Sequence, residues 1–158
     1  MEHDQQLRNQ LVKLMQGGQA FTPLDELLDG ISAEDAGKKV PELPYTLWKL
    51  IEHLRIALYD ILEFSRNPSY ESPAWPEGYW PTEDVPSNQA ALHASINSIK
   101  EGLAAMVQLV QDQNNDLFEP FAHGSGQNLL REAMLVAEHN AYHLGEILVL
   151  RRLLGIWK

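Results

Sequence analysis

The sequence predicts an all-α fold, a four-helix bundle, on three observations. Four segments carry apolar residues at the 3.6-residue period of an amphipathic helix, and no segment alternates at the two-residue period of a strand. Each apolar stripe must be buried against another, and four stripes joined by turns close into a bundle. The length, 158 residues with 44% hydrophobic content, fits one domain over residues 1–158 with a core of its own.

The first helix is expected from about Asp4 to Gln16, where Leu7, Leu11 and Leu14 recur at four-then-three spacing beside Val12 and Met15. Gly17-Gly18 ends it. Thr22-Pro23 reads as an N-cap followed by proline at the first helical position, opening a brief turn through Leu24, Leu27 and Leu28, and Ser32 to Ala36 can form another. The second long helix is expected from about Tyr45 to Ser65, with Leu47, Ile51, Leu54, Leu58, Ile61 and Leu62 in one wide stripe. His53 falls on the flank of that stripe, and Asp60 nearly eclipses it two turns onward.

From Asn67 to Pro86 the prolines at 68, 73, 76, 81 and 86 rule out a continuous helix. Between the second and third helices lies a Pro- and aromatic-rich loop of about 20 residues, longer than compact domains usually carry without a reason. It is either a functional lid, whose rings recognise a planar or apolar substrate, or a loop strapped down by Tyr70, Trp75, Tyr79 and Trp80. Helix three starts near Ser87 and ends near Gln113, with Leu92, Ile96, Ile99, Leu103, Met106 and Val110 forming a bundle seam. After a connection containing Pro120, the last helix is expected from about Gln127 to Leu154. Arg151 and Arg152 in its final turns suit the helix dipole, and Gly155 suits the C′ position.

The composition excludes several functions. A net charge of -10 without a clustered basic face argues against nucleic acid and against an anionic membrane surface. No window approaches the roughly 18 apolar residues of a membrane span, and no signal-peptide pattern opens the chain, so a cytoplasmic location is expected. With no cysteine, the chain has no disulfide, thiolate ligand or thiol nucleophile of its own.

The chemistry concentrates in the last helix. His139 and His143 are four residues apart, so their rings project from one helix face a turn apart and can share a metal ion. That face also carries Leu135, Val136, Ile147, Leu150 and Leu154, so both imidazoles are expected to point inward, where an unpaired polar ring is costly. A third ligand must come from elsewhere, and His53 is the other histidine set deep in a long amphipathic helix. The competing reading is two core-edge histidines hydrogen-bonded to Glu132 and Glu146 on the same face. Asn140 follows His139, so the His-Glu-x-x-His motif of zinc proteases is absent, and no Glu-x-x-His pair of di-iron bundles occurs on any helix. A three-histidine site leaves a coordination position open, as catalytic centres do. Neutral imidazoles are needed to ligate, so affinity is expected to fall below about pH 6.5.

Around these residues, Glu146 can accept the distal N–H of His143, act as a general base, or pair with an arginine. Glu52 is rotated away from His53 and is expected to be solvated, and Tyr142 is expected to pack. His3 and His93 read as surface residues, and His123 is a candidate for the site mouth.

The segment Tyr45-Thr46-Leu47-Trp48-Lys49-Leu50-Ile51-Glu52-His53-Leu54, with His139-Asn140-Ala141-Tyr142-His143-Leu144-Gly145-Glu146 later in the chain, resembles the DinB/YfiT-like superfamily of metal-dependent enzymes. The resemblance spans essentially the whole chain in helix order. It implies a four-helix bundle with His53, His139 and His143 around a divalent ion, nickel, zinc, manganese or iron. It implies a small-molecule substrate, with a low-molecular-weight thiol as the co-substrate of an S-transferase, or else a hydrolase, and a homodimer. The alternative is a non-catalytic metal-binding or stress-associated dimer whose bundle face recruits a partner.

Overall fold

The computed structural model describes residues 2–41 and 43–157, and among them the secondary structure is all helical, with no strand. The long helices are α1 (Glu2–Gln16), α4 (Leu47–Arg66), α5 (Gln89–Gln111) and α6 (Leu129–Leu153), and the short ones are α2 (Leu24–Leu28) and α3 (Ala33–Gly37). A single 3-10 turn, Glu77–Tyr79, lies between α4 and α5. α1 and α4 each pack against both α5 and α6, so the four long helices enclose one core. Leu11 and Met15 of α1, Leu50 and Leu54 of α4, Ile99 and Met106 of α5, and Ile147 and Leu150 of α6 meet in it. No helix among the described residues is long and apolar enough to cross a membrane.

After α1, the helices start where the sequence offers a cap. The side chains of Ser32, Thr46, Asn88 and Asn128 accept from the backbone N–H groups of Asp35, Lys49, Ala91 and Arg131, satisfying donors that the first turn leaves free. The exception is α2. Thr22 was expected to cap it, but Pro23 occupies the N-cap position in extended geometry and makes no side-chain cap bond. Proline's fixed φ and missing N–H suit the N-cap as well as the first turn. α6 ends as expected, with Gly155 at φ 72° and the Ile156 N–H reaching back to the Arg151 carbonyl at 2.9 Å.

Two buried arginines tie the ends of the bundle. The Arg8 guanidinium, inside α1, donates to the carbonyl oxygens of Val110 at 2.7 Å, Asp112 at 3.1 Å and Asn115 at 2.8 Å, capping the C-terminal end of α5. Arg151 donates to the Leu27 carbonyl at 2.6 Å and lies over the Trp157 ring, fixing α2 and the C-terminal tail to α6. The stripe expected on α1 is narrower than the spacing implied: Leu14 is exposed, and Arg8 takes a buried place instead.

Candidate metal centre

His53 from the middle of α4 meets His139 and His143 from α6, two helices that pack face to face. The three rings offer one ligand atom each, all within 4.8 Å of one another. The Nε2 of His53 is 3.1 Å from the Nε2 of His143 and 3.1 Å from that of His139. Two nitrogens bound to one ion at about 2.0–2.1 Å sit roughly 2.9–3.4 Å apart for bond angles of 90–109°. The two spacings to His53 therefore fit a shared divalent ion, while the ligand atoms of His139 and His143 lie within 4.8 Å of each other.

The tautomers sharpen that fit. His53 Nδ1 lies 2.7 Å from the carbonyl oxygen of Tyr79, which can only accept, so Nδ1 carries the proton and Nε2 is a bare lone pair. His143 Nδ1 lies 2.6 Å from Glu146 Oε2, a carboxylate oxygen, and the same reasoning bares its Nε2. Two lone pairs facing each other at 3.1 Å repel unless a positive centre lies between them. A proton supplied by His53 or His139 is a poor candidate for that centre. Burial holds the His53 pKa below the ordinary imidazole value, and burial, with His143 and His53 alongside, holds His139 down at about 4. The donor set is thus two imidazoles locked through Nδ1 and one, His139, with no such lock among the described residues. That set suits a divalent cation.

The surrounding groups explain how the rings are held. Tyr45, just before α4, donates its hydroxyl to Glu146 Oε1 at 2.7 Å, and this bond, with burial, pushes the phenol up to about 12. Glu146 thus bridges Tyr45 and His143, and no arginine pairs with it among the described residues. Trp80 lies flat on His53, with ring centroids 4.1 Å apart and planes 3° apart. Tyr79 donates its hydroxyl to Asp60 Oδ2 at 2.7 Å, while Asp60 Oδ1 is buried without a partner. Burial, then Asp60, drives the Tyr79 phenol well above its usual range. The segment between α4 and α5 is therefore strapped to α4 at Tyr79 and Trp80, while its Trp75 is 74% exposed.

A pocket of about 380 Å³ opens onto the three histidines, bordered by Tyr45, Trp75, Trp80, Tyr142 and Glu146. Three protein ligands with a pocket beside them leave room for a further ligand.

Several expected positions are corrected. Glu52 is buried, not solvated: both its oxygens are held by Arg55, at 2.9 Å each, which lets the ion pair pack against the bundle. Tyr142 does not pack into the body but stands 67% exposed at the pocket mouth, edge-on to His143. His123 lies away from the site, bonded to the Phe64 carbonyl at 2.8 Å near the C-terminal end of α4. Glu132 turns from the histidines and pairs with Arg131 at 2.7 Å. His3 and His93 are exposed, as expected. Sequence reasoning missed Tyr45 and the Tyr79 carbonyl. Tyr45 opened the segment that carries the resemblance, but a backbone carbonyl has no residue signature.

Compared with protein family models, curated proteins and solved structures, the chain matches none.

Proposed function

We propose that the protein is a divalent-metal-dependent enzyme of DinB/YfiT-like type, a thiol-dependent S-transferase or a hydrolase, with nickel, zinc, manganese or iron held by His53, His139 and His143. The observation that carries this reading is the approach of the Nε2 atoms of His53 and His143 to 3.1 Å, with each ring held through its Nδ1. An ion held by three neutral imidazoles supplies Lewis acidity and lowers the pKa of a coordinated thiol or water.

The chain's own residues do the rest. Tyr79 and Trp80 hold the His53 ring in place, and Glu146 keeps the proton of His143 on Nδ1. With Tyr45 on its other oxygen, Glu146 serves as an orienting group; its alternative role, taking the substrate proton, is separated from this one by substitution to glutamine. A homodimer belongs to the same proposal.

The test is to incubate metal-loaded protein with a panel of low-molecular-weight thiols, electrophiles and hydrolysable esters. Turnover of at least one combination, lost in His53→Ala, is expected. If no thiol reacts or binds, the transferase reading falls. The non-catalytic, partner-recruiting reading draws on Met134, Val149 and Leu153, exposed along α6; it is favoured if the metal-loaded chain turns nothing over yet dimerises through that face.

A further inference from the structure

Among the described residues, the two most exposed large apolar side chains are Trp75 at 74% and Tyr142 at 67%. One comes from the segment between α4 and α5 and the other from α6, yet both border the same pocket over the histidines. Leaving that much ring surface in water forgoes burial energy, and two separate elements do so at one place. Trp80 and Tyr45 continue the wall inward, their ring planes 16° apart and their centroids 6.3 Å apart.

The charge of this mouth is as uneven as its shape. Among the described residues no lysine or arginine borders it, and its one carboxylate, Glu146, already accepts from Tyr45 and His143. The chain as a whole carries -10, a field that repels anions approaching from solvent. Away from a metal ion, sites that hold carboxylates or phosphates do so with arginine or lysine, and among the described residues none borders this mouth.

We propose that the pocket takes a small molecule with an uncharged, planar aromatic body, gripped by Trp75 and Tyr142 and carrying no anionic group at the mouth. This deepens the metal-dependent reading and rests on it for the fate of the ligand's inner end. The thiol or electrophile of that reaction is accordingly a compact aromatic compound and not a peptide-like molecule with several carboxylates. Ring faces recognise such a body by offset or edge-to-face stacking, which adds to the area buried.

The test uses two probes of one shape and different charge, naphthyl methyl sulfone and naphthalene sulfonate, both weak metal ligands. Equilibrium dialysis against the full-length chain should show the neutral sulfone binding at least about tenfold more tightly than the sulfonate. The double variant Trp75→Ala/Tyr142→Ala should weaken sulfone binding by a similar factor with an unchanged melting profile, since both rings are exposed. Equal affinity for the two probes, no binding of either, or full affinity in the double variant would overturn the proposal. Metal content measured on the same samples separates the two ideas. Sulfone binding without metal removes the metal reading and keeps the pocket; metal without sulfone binding does the reverse.

Discussion

The carbonyl oxygen of Tyr79 lies 2.7 Å from Nδ1 of His53, so a residue of the segment between two helices fixes the tautomer of an imidazole in the middle of α4. Tyr79 is itself anchored by its hydroxyl on Asp60, two turns further along the same helix. Tyr79→Phe removes that anchor and takes from the half-buried Asp60 carboxylate the donor on its Oδ2. The expected cost is about 1–2 kcal/mol of stability, with faster proteolysis of the segment around Tyr79 and weaker metal binding. Unchanged proteolysis would disconnect the strap from the site.

Glu146 offers a sharper division of roles. Glu146→Gln keeps an acceptor for His143 Nδ1 but removes the charge, so metal affinity should fall by about 10–100-fold. If Glu146 instead takes the substrate proton, metal binding stays near the wild-type level and kcat collapses, with loss of one limb of the pH–rate profile. Titrating metal and measuring turnover on the same variant distinguishes the two.

The depressed pKa of His139 sets a pH dependence whose sign can be worked out. In the unfolded chain this ring titrates near 6.5, and in the folded protein burial lowers it to about 4, so below pH 6.5 the unfolded chain takes up the proton first. The stabilisation is complete above about 6.5 and is lost as pH falls toward 4. In metal-free protein, wild type should lose about 1–2 kcal/mol relative to His139→Ala between pH 7 and 4.5, a figure reduced for the ring's partial exposure. Chemical denaturation across that range checks it, and a pH-independent difference would contradict it. Proton competition for the metal at this ring also begins at lower pH than an ordinary imidazole implies.

Arg8 tests the fold apart from the site. Arg8→Met removes the guanidinium from three carbonyls at the end of α5, of which Asp112 alone keeps a second donor, the Asn115 N–H, in a place where Arg8 itself is buried. A loss of about 2–3 kcal/mol, or roughly 5–10 °C in Tm, is expected. A variant that melts with the wild type would mean that water replaces the guanidinium without cost.

What the sequence revealed and what it hid follow from the range of each interaction. His139 and His143 were legible because helix geometry alone puts residues four apart on one face. His53 was legible as a histidine on an amphipathic helix and through the resemblance. Its meeting with α6 depended on packing. Glu52 was misplaced because a single apolar stripe implied one buried face, whereas α4 touches α3, α5, α6 and the 3-10 turn and hides more of its circumference. Arg8 was hidden because its partners are backbone carbonyls about a hundred residues away. The position of Tyr142 could not be read, since helical angle gives direction but not whether a neighbour stands there.

The central claim is most directly tested by elemental analysis of the protein purified without added metal, then reconstituted with nickel, zinc, manganese or iron and dialysed. The account predicts about one divalent ion per chain in wild type and loss of most of it in His139→Ala and in His53→Ala. Full occupancy in either variant, or no ion retained by wild type under any of the four metals, would contradict it.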